Sequence, residues 1–576
     1  FTNRHRSYRR YLGNNVNPTY NNPLWTTNEQ DALTTVNRFI MTSEVNIIPT
    51  SWLNLTLRGG VDSYTDARTY FFPIGSASYI NGTLAQDDIK ERELNFDAIA
   101  KANFKLSNEI GLTTTVGYNI NDRERFYNSF SVVGFQVDSK KTTTDLNGAN
   151  DASSVSNSKR YVRSNRGYGV LNFDMFDELF VNLSGSVEAA SSVKGTYFYP
   201  SVDAAWQFTK TVIPTSNALT FGKLRASWGR VGVQPQPHRF ETTVESGFSY
   251  STYSDPLNSG FFGGGFRNNN NKGNPDLEPE IKEEWEIGAD IRMFRDKLAF
   301  GFTYYQNTID GILIDVDLPR STGFSTIYAN AGSMENKGFE FEADYTLLNK
   351  GNWDIGMYAN WSTNENTVLD LSGTESIDLS TQSVSSRAIV GYPLGTLYGT
   401  GSKTLADGSF DLNEFGFPQL TDRPIPLGDP NPDWKAGLGF RVNYKKLALN
   451  VLFDHSQGGD FAPRTLWVLR RFGTTAETAA RVTTTEALYN YAGNLIPAGT
   501  TLRGSVGNFG GGNVLLDESW YRTGIGGGLG DQQAYNFSIY DATWTRLREL
   551  SLSYSLQNNW TNKLKLGSIV LTATGR

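Results

Sequence analysis

The groups able to do covalent chemistry are few and scattered. The chain of 576 residues has no cysteine, which excludes disulfides, thiolate metal sites and cysteine nucleophiles. Its three histidines, His5, His238 and His455, lie far apart, and none sits in an HExxH or a nucleophile–base setting. Serine-containing stretches such as "LSGS" and "LRGS" lack the strand–elbow–helix frame that exposes a serine nucleophile. Paired acids such as Glu340 and Glu342 raise glycoside hydrolysis as one reading, but their alternation with aromatic residues makes them the wall of a wet cavity first. The oxygens of "DPNPD" (Asp429–Asp433) could take calcium, yet their spacing matches no calcium loop. "GGG" at Gly263–Gly265 and Gly526–Gly528 lacks the strand–helix context of a phosphate cradle. No catalytic residue, metal or cofactor is expected, and no enzyme activity.

What remains is recognition. Seven aromatics in long connectors are the candidate ligand-binding residues: Tyr250, Tyr253, Phe261, Phe262, Phe266, Trp467 and Trp520. Aromatic faces suit stacking on a sugar ring or packing against a peptide. The alternative for each is packing within its own loop, against a neighbouring loop or against a subunit. "RHRSYRR" (Arg4–Arg10) reads as a solvated basic loop or a contact with anionic surface lipid. A net charge of -7, without a basic stripe, argues against nucleic acid.

The elements that position these residues repeat every two residues, not every 3.6. In "ENKGFEFEADYTLLNKGNWDIGMYANWS" (Glu335–Ser362), Phe339, Phe341, Ala343, Tyr345 and Leu347 alternate with Glu340, Glu342, Asp344 and Thr346. The alternation resumes at Ile355, Met357, Ala359 and Trp361. Eight such hairpins are legible: Arg38–Ile48 with Leu53–Ser63, Leu94–Leu106 with Ile110–Ile120, Tyr168–Met175 with Leu179–Ala189, Tyr199–Phe208 with Leu219–Val231, Trp285–Met293 with Leu298–Ile309, Phe339–Leu347 with Trp353–Ser362, Trp434–Tyr444 with Leu447–His455, and Trp544–Leu556 with Lys565–Thr574. That is about sixteen strands, each near the length a tilted strand needs to cross a bilayer. Turns within hairpins are short, whereas connectors between them are long, as around Gln234–Lys282, Val368–Asp433 and Gln457–Thr543. Long loops without structure of their own are uncommon in compact soluble domains, but a transmembrane barrel carries short turns on one side and long loops on the other. There is no run of about 18 apolar residues, so no transmembrane helix. In lipid every backbone polar group must be paired, so the sheet must close. The apolar faces then meet hydrocarbon and the acidic faces line a wet interior. Trp285, Tyr304, Tyr345 and Trp361 suit the interfacial aromatic girdles. A soluble β-sandwich or repeat array is the rival reading.

Several stretches carry a family resemblance, in order along the whole chain: "NPLW" (Asn22–Trp25), "YPSVDAAWQF" (Tyr199–Phe208), "GKLRASWGRVG" (Gly222–Gly232), "NPDLEPEIKEEWEIGADIRMFRDKLAFGFTYYQNTIDGIL" (Asn274–Leu313), "STGFSTIYANAGSMENKGFEFEADY" (Ser321–Tyr345), "LGDPNPDWKAGLGFRVNYKKLALNVLFDHSQGGD" (Leu427–Asp460) and "DATWTRLRELSLSYSL" (Asp541–Leu556). These resemble the SusC/RagA type of TonB-dependent outer-membrane transporter. The resemblance implies an all-β fold: a transmembrane antiparallel β-barrel of about 22 strands when complete, about 16 of them represented here, with long extracellular loops. Residues 1–576 would be a portion of that barrel domain, with the plug domain, about five early strands and the closing strand absent. "VNLSGSVEAASS", after Phe180, departs from the Arg-Asp-Gly character of the family.

The implied function is active import, across the outer membrane of a Gram-negative bacterium, of a nutrient such as an oligosaccharide or a peptide. The implied partners are a SusD-like surface lipoprotein, the TonB complex through the absent N-terminal part, and outer-membrane lipid, with a possible dimer of transporter–lipoprotein pairs. A passive porin or a surface scaffold or adhesion barrel is the alternative.

Overall fold

The protein is described here by a computed structural model covering residues 21, 23–77, 79–135, 154–246, 266–380, 382–527, 533–556, 563 and 569–576. Its main sheet is an antiparallel meander in which each strand pairs with the next in sequence. The strands are Asp31–Thr50, Leu53–Phe72, Thr83–Lys105, Ile110–Val133, Ser154–Met175, Leu179–Ala190, Tyr197–Trp206, Leu219–Val233, Glu280–Met293, Leu298–Asp310, Ser333–Lys350, Trp353–Ser362 continuing as Glu365–Asp370, Trp434–Tyr444, Leu447–Gln457, Trp544–Leu556 and Ile569–Gly575. Both parts of the twelfth strand pair with Ser333–Lys350, so the 17 segments make sixteen passes, as the alternation predicts. Among the described residues, Asp31–Thr50 and Ile569–Gly575 stand at the two ends of the meander. The apolar pattern places the last strand at Lys565–Thr574; it is described from Ile569 onward.

The connectors alternate between two rims. On one, most described hairpins close over a few residues, with a wider turn at 207–218, and the tight turns carry left-handed residues such as Asp177 (φ 49°) and Lys445 (φ 55°). That conformation costs roughly 1–2 kcal/mol for a residue with a Cβ, so the pairing of long strands on both sides must hold it. Glu178 braces this rim. It is 7% exposed and accepts from Thr211 Oγ1 at 2.5 Å and Trp206 Nε1 at 2.7 Å. Those two donors hold its carboxyl below the usual range, against the opposing effect of burial.

Register turns the period-two pattern into a continuous belt. Leu57 faces Val45 and Ala98, and Ala98 faces Tyr118. Farther round, Tyr304 lies between Ile287 and Phe339, and Leu552 between Leu449 and Ala573. Ile287 (56%), Val45 (53%) and Leu552 (46%) are exposed and Ala98, Tyr304 and Leu449 half-buried, and no second sheet among the described residues covers them. A sandwich would bury them; a barrel wall presents them to lipid. Toward the loop rim the belt becomes aromatic. The ring centroid of Tyr304 lies 5.2 Å from that of Trp285 and 5.0 Å from that of Phe339. One position beyond, it becomes charged, where Arg230 bonds Glu283 at 2.6 Å and Gln306 bonds Glu335 at 2.7 Å. Apolar, aromatic, then charged is the order a membrane boundary imposes.

Early strands run well past the apolar stretches. The third begins at Thr83, not Leu94; the fourth ends at Val133, not Ile120; and the fifth begins at Ser154, not Tyr168. Beyond the lipid both faces are wet, so the alternation fades while the hydrogen-bond ladder continues. Cross-strand ion pairs replace the apolar contacts there: Asp122–Arg163 and Arg123–Glu91 at 2.5 Å, and Glu124–Arg92 at 2.8 Å.

The two longest connectors fold together into one module. The first contributes a four-stranded sheet (Ser376–Asp378, Ser385–Ile389, Thr396–Gly399, Ile425–Gly428). The second contributes the helices Arg464–Arg471 and Ala476–Ala479 and several two-stranded ribbons. Phe417 of the first connector packs with Val514, Trp520, Ile525 and Ala534 of the second. These loops have a hydrophobic core of their own, where composition alone suggests unstructured connectors.

Candidate functional site

The wet face of the wall is built from residues one position out of step with the apolar belt. Asn119 donates to Asp97 at 2.7 Å, Arg166 pairs with Glu188 at 2.9 Å, and Asn182 bridges Asn172 (2.5 Å) to Asp203 (2.7 Å). Asn307 donates to Glu284 at 2.9 Å and accepts from Asn336 at 3.1 Å. Glu340 shares this face and lines a recess of 530 Å³ with Arg225, Lys282, Glu284, Glu286 and Tyr305. The alternation that places Phe341 outward places Glu340 and Glu342 inward, which is the wall role expected of these acids.

Glycines on this face make room for long side chains laid flat across neighbouring strands. Arg441 passes over Gly356, where a Cβ would lie 2.7 Å from its Cζ, and reaches Asp344 two strands away at 2.7 Å. Tyr305 lies over Gly338 and donates to Asn364 Oδ1 at 2.9 Å and Thr363 O at 3.2 Å. The result is a low-relief surface of hydroxyls, amides and paired charges, suited to hydrophilic solutes rather than to a reaction. The sequence shows that these residues face inward. It does not show which of them meet, because that depends on the register between strands.

The seven candidate aromatics have different fates. Tyr250, Tyr253, Phe261 and Phe262 lie outside the described residues. Phe266 opens the short strand Phe266–Asn268, paired with Val244–Ser246. Trp467 is 3% exposed, packs at a tilt against Tyr535 with centroids 5.4 Å apart and donates Nε1–H to Ser538 O at 3.0 Å. Trp520 is 4% exposed and sits among Phe417, Tyr491, Phe509 and Phe537. Both tryptophans therefore pack inside the loop module, the second of the two roles their sequence allows. Their indoles present no open face for a ligand.

The "DPNPD" stretch is held as a turn by its own side chains and a neighbouring loop. Asp429 Oδ1 accepts from Asn431 N at 2.9 Å and Nδ2 at 2.8 Å, while Asp460 accepts from Asp429 N at 3.0 Å.

Comparison with known proteins agrees with this architecture. Residues 1–567 match the family described as TonB dependent receptor-like, beta-barrel. TonB-dependent receptor P26 of Formosa agariphila is 29% identical over 355 residues, 55% of this chain and 35% of that protein. TonB-dependent receptor SusC of Bacteroides thetaiotaomicron is 23% identical over 416 residues, 68% of this chain and 38% of that one. The chain thus spans little more than a third of the length of each of these two relatives. In fold it is similar to the structure of the RagAB peptide transporter, with a TM-score of 0.74, 17% identity and coverage of 99% of this chain and 62% of that one. With the family matched over nearly its whole length and its strands ordered as a membrane wall, the chain belongs to the TonB dependent receptor-like β-barrel family, proteins of the Gram-negative outer membrane.

Proposed function

We propose that this chain forms most of the wall and loop face of an outer-membrane importer that takes up an oligosaccharide or a peptide and is driven through TonB. The observation that carries the reading is the pairing of a continuous outward apolar belt with an inward face of paired charges and flat-lying Tyr and Arg side chains. Such a wall guides a hydrophilic solute past lipid without sticking to it. A fold relative that is a peptide transporter lends a peptide some weight, and the sugar-like polarity of the face lends an oligosaccharide equal weight.

Further wall strands, a plug and a TonB-contacting segment belong to the same reading. A SusD-like surface lipoprotein would cap the loop rim, where the module formed by the described residues of 371–433 and 458–543 supplies a folded platform. A dimer of transporter–lipoprotein pairs is compatible with this arrangement.

The test is uptake of labelled oligosaccharide and peptide pools by cells with and without TonB. Import that stops without TonB supports the reading. Uptake that continues unchanged favours a passive porin, and none in either strain favours a surface scaffold.

A further inference from the structure

A separate cavity of 420 Å³ lies within the loop module, and every residue lining it belongs to the connector between the fourteenth and fifteenth strands. Four of those residues are arginines, Arg470, Arg471, Arg503 and Arg522, against two acids, Asp517 and Glu518. Glu518 is paired, while Asp517 is held by neutral donors, Ser519 N at 2.9 Å and Asn490 Nδ2 at 2.8 Å, and keeps its charge, so the four arginines still outnumber the acids of the lining. Glu518 pairs with Arg522 at 2.7 Å. Arg470 is matched by Glu477, outside the lining. Arg503 differs from these. It donates to Gly473 O at 2.9 Å and to Thr478 O at 2.9 Å from Nη2 and 3.2 Å from Nε. Carbonyl oxygens fix a guanidinium in place without neutralising it, and among the described residues it forms no ion pair.

We propose that this cavity binds the oxyanion of a small solute, a carboxylate or a sulfate ester, with Arg503, whose guanidinium has no carboxylate partner among the described residues, as the anchor and Tyr521 lining the cavity beside it. A planar guanidinium matches both oxyanions bidentately, and the volume falls within the range of small-ligand sites. The cavity lies in the module rather than on the lumen wall, so it selects solute before passage. That last step rests on the import reading; the binding itself does not.

The test is calorimetry on the full-length protein in detergent. The probes are a galacturonate trisaccharide, a sulfated disaccharide and a glutamate tripeptide, each beside its neutral counterpart. At least one acidic probe should bind roughly tenfold tighter than its counterpart, weakening as salt rises. Arg503→Met should abolish that preference. If this variant unfolds the module, Arg522→Met, whose guanidinium bonds Glu518 on the same turn, decides instead by leaving a carboxylate in the cavity and weakening acidic probes severalfold. The acidic probe that wins assigns the solute as glycan or peptide. The proposal falls if no acidic probe exceeds its neutral counterpart, or if the preference survives both substitutions. Detergent binding needs no TonB, so such a failure leaves import standing, whereas binding without uptake would strike import alone.

Discussion

Trp520→Ala separates a structural indole from a ligand-stacking one. The Trp520 ring lies 5.2 Å from that of Phe509, 5.6 Å from those of Phe417 and Phe537, and 5.9 Å from that of Tyr491. Phe417 comes from the connector before the thirteenth strand and the others from the connector before the fifteenth, so this indole joins two loops distant in sequence. Truncating a fully buried Trp costs about 3–5 kcal/mol, part lost transfer and part cavity. Local opening of the module should then become easier by on the order of a hundred- to several-thousand-fold. Hydrogen exchange followed by mass spectrometry reads this directly: amides in 371–433 and 458–543 should lose protection by that factor. Amides of the wall strands should keep theirs, because the ladder does not pass through Trp520. Unchanged loop protection in the variant, with or without a loss of ligand binding, would refute the claim that this residue is core.

The assignment of faces can be tested one residue apart. Ile287→Arg, on the outward belt, should destabilise the folded barrel by about 2–4 kcal/mol in denaturant titrations from bilayers, while Glu286→Gln, facing the lumen, should cost less than about 1 kcal/mol. Gly338→Ala should cost about 1–3 kcal/mol by overpacking, because its Cβ would sit 2.1 Å from the main-chain oxygen of Thr363, whereas Gly59→Ala meets nothing within 4 Å and should be near neutral. Glu178 has a carboxyl pKa lowered in the folded state, so the unfolded chain binds its proton first as pH falls. The stability it adds is therefore present above about pH 4 and lost below it; the melting temperature of Glu178→Gln should lie under that of the wild type at neutral pH and approach it in acid.

Much of this wall is written in the chain. A strand's side chains alternate by geometry, so the period-two runs fix the existence of sixteen passes, the outward row from Leu298 to Tyr304 and the inward row through Glu340 and Glu342. The short–long rhythm of connectors assigns most of them to a rim, but the short connector 191–196 lies on the loop rim and the wider turn 207–218 on the other, so length alone does not place every one. Strand ends beyond the lipid were not legible, since water on both faces removes the contrast that marks a strand. Thr83–Glu93 continues its ladder through charged pairs that read as loop. Register was not legible either, and with it went the reach of Arg441 over Gly356 to Asp344. The largest gap concerns the loops. An aromatic in a polar connector has the same composition whether it is open to a solute or sealed in a core. Trp467 and Trp520 were sealed, and Arg503 was set on carbonyls beside a cavity, by contacts between segments tens to more than a hundred residues apart. Local propensity contains no term for those contacts, so only the folded module could decide them.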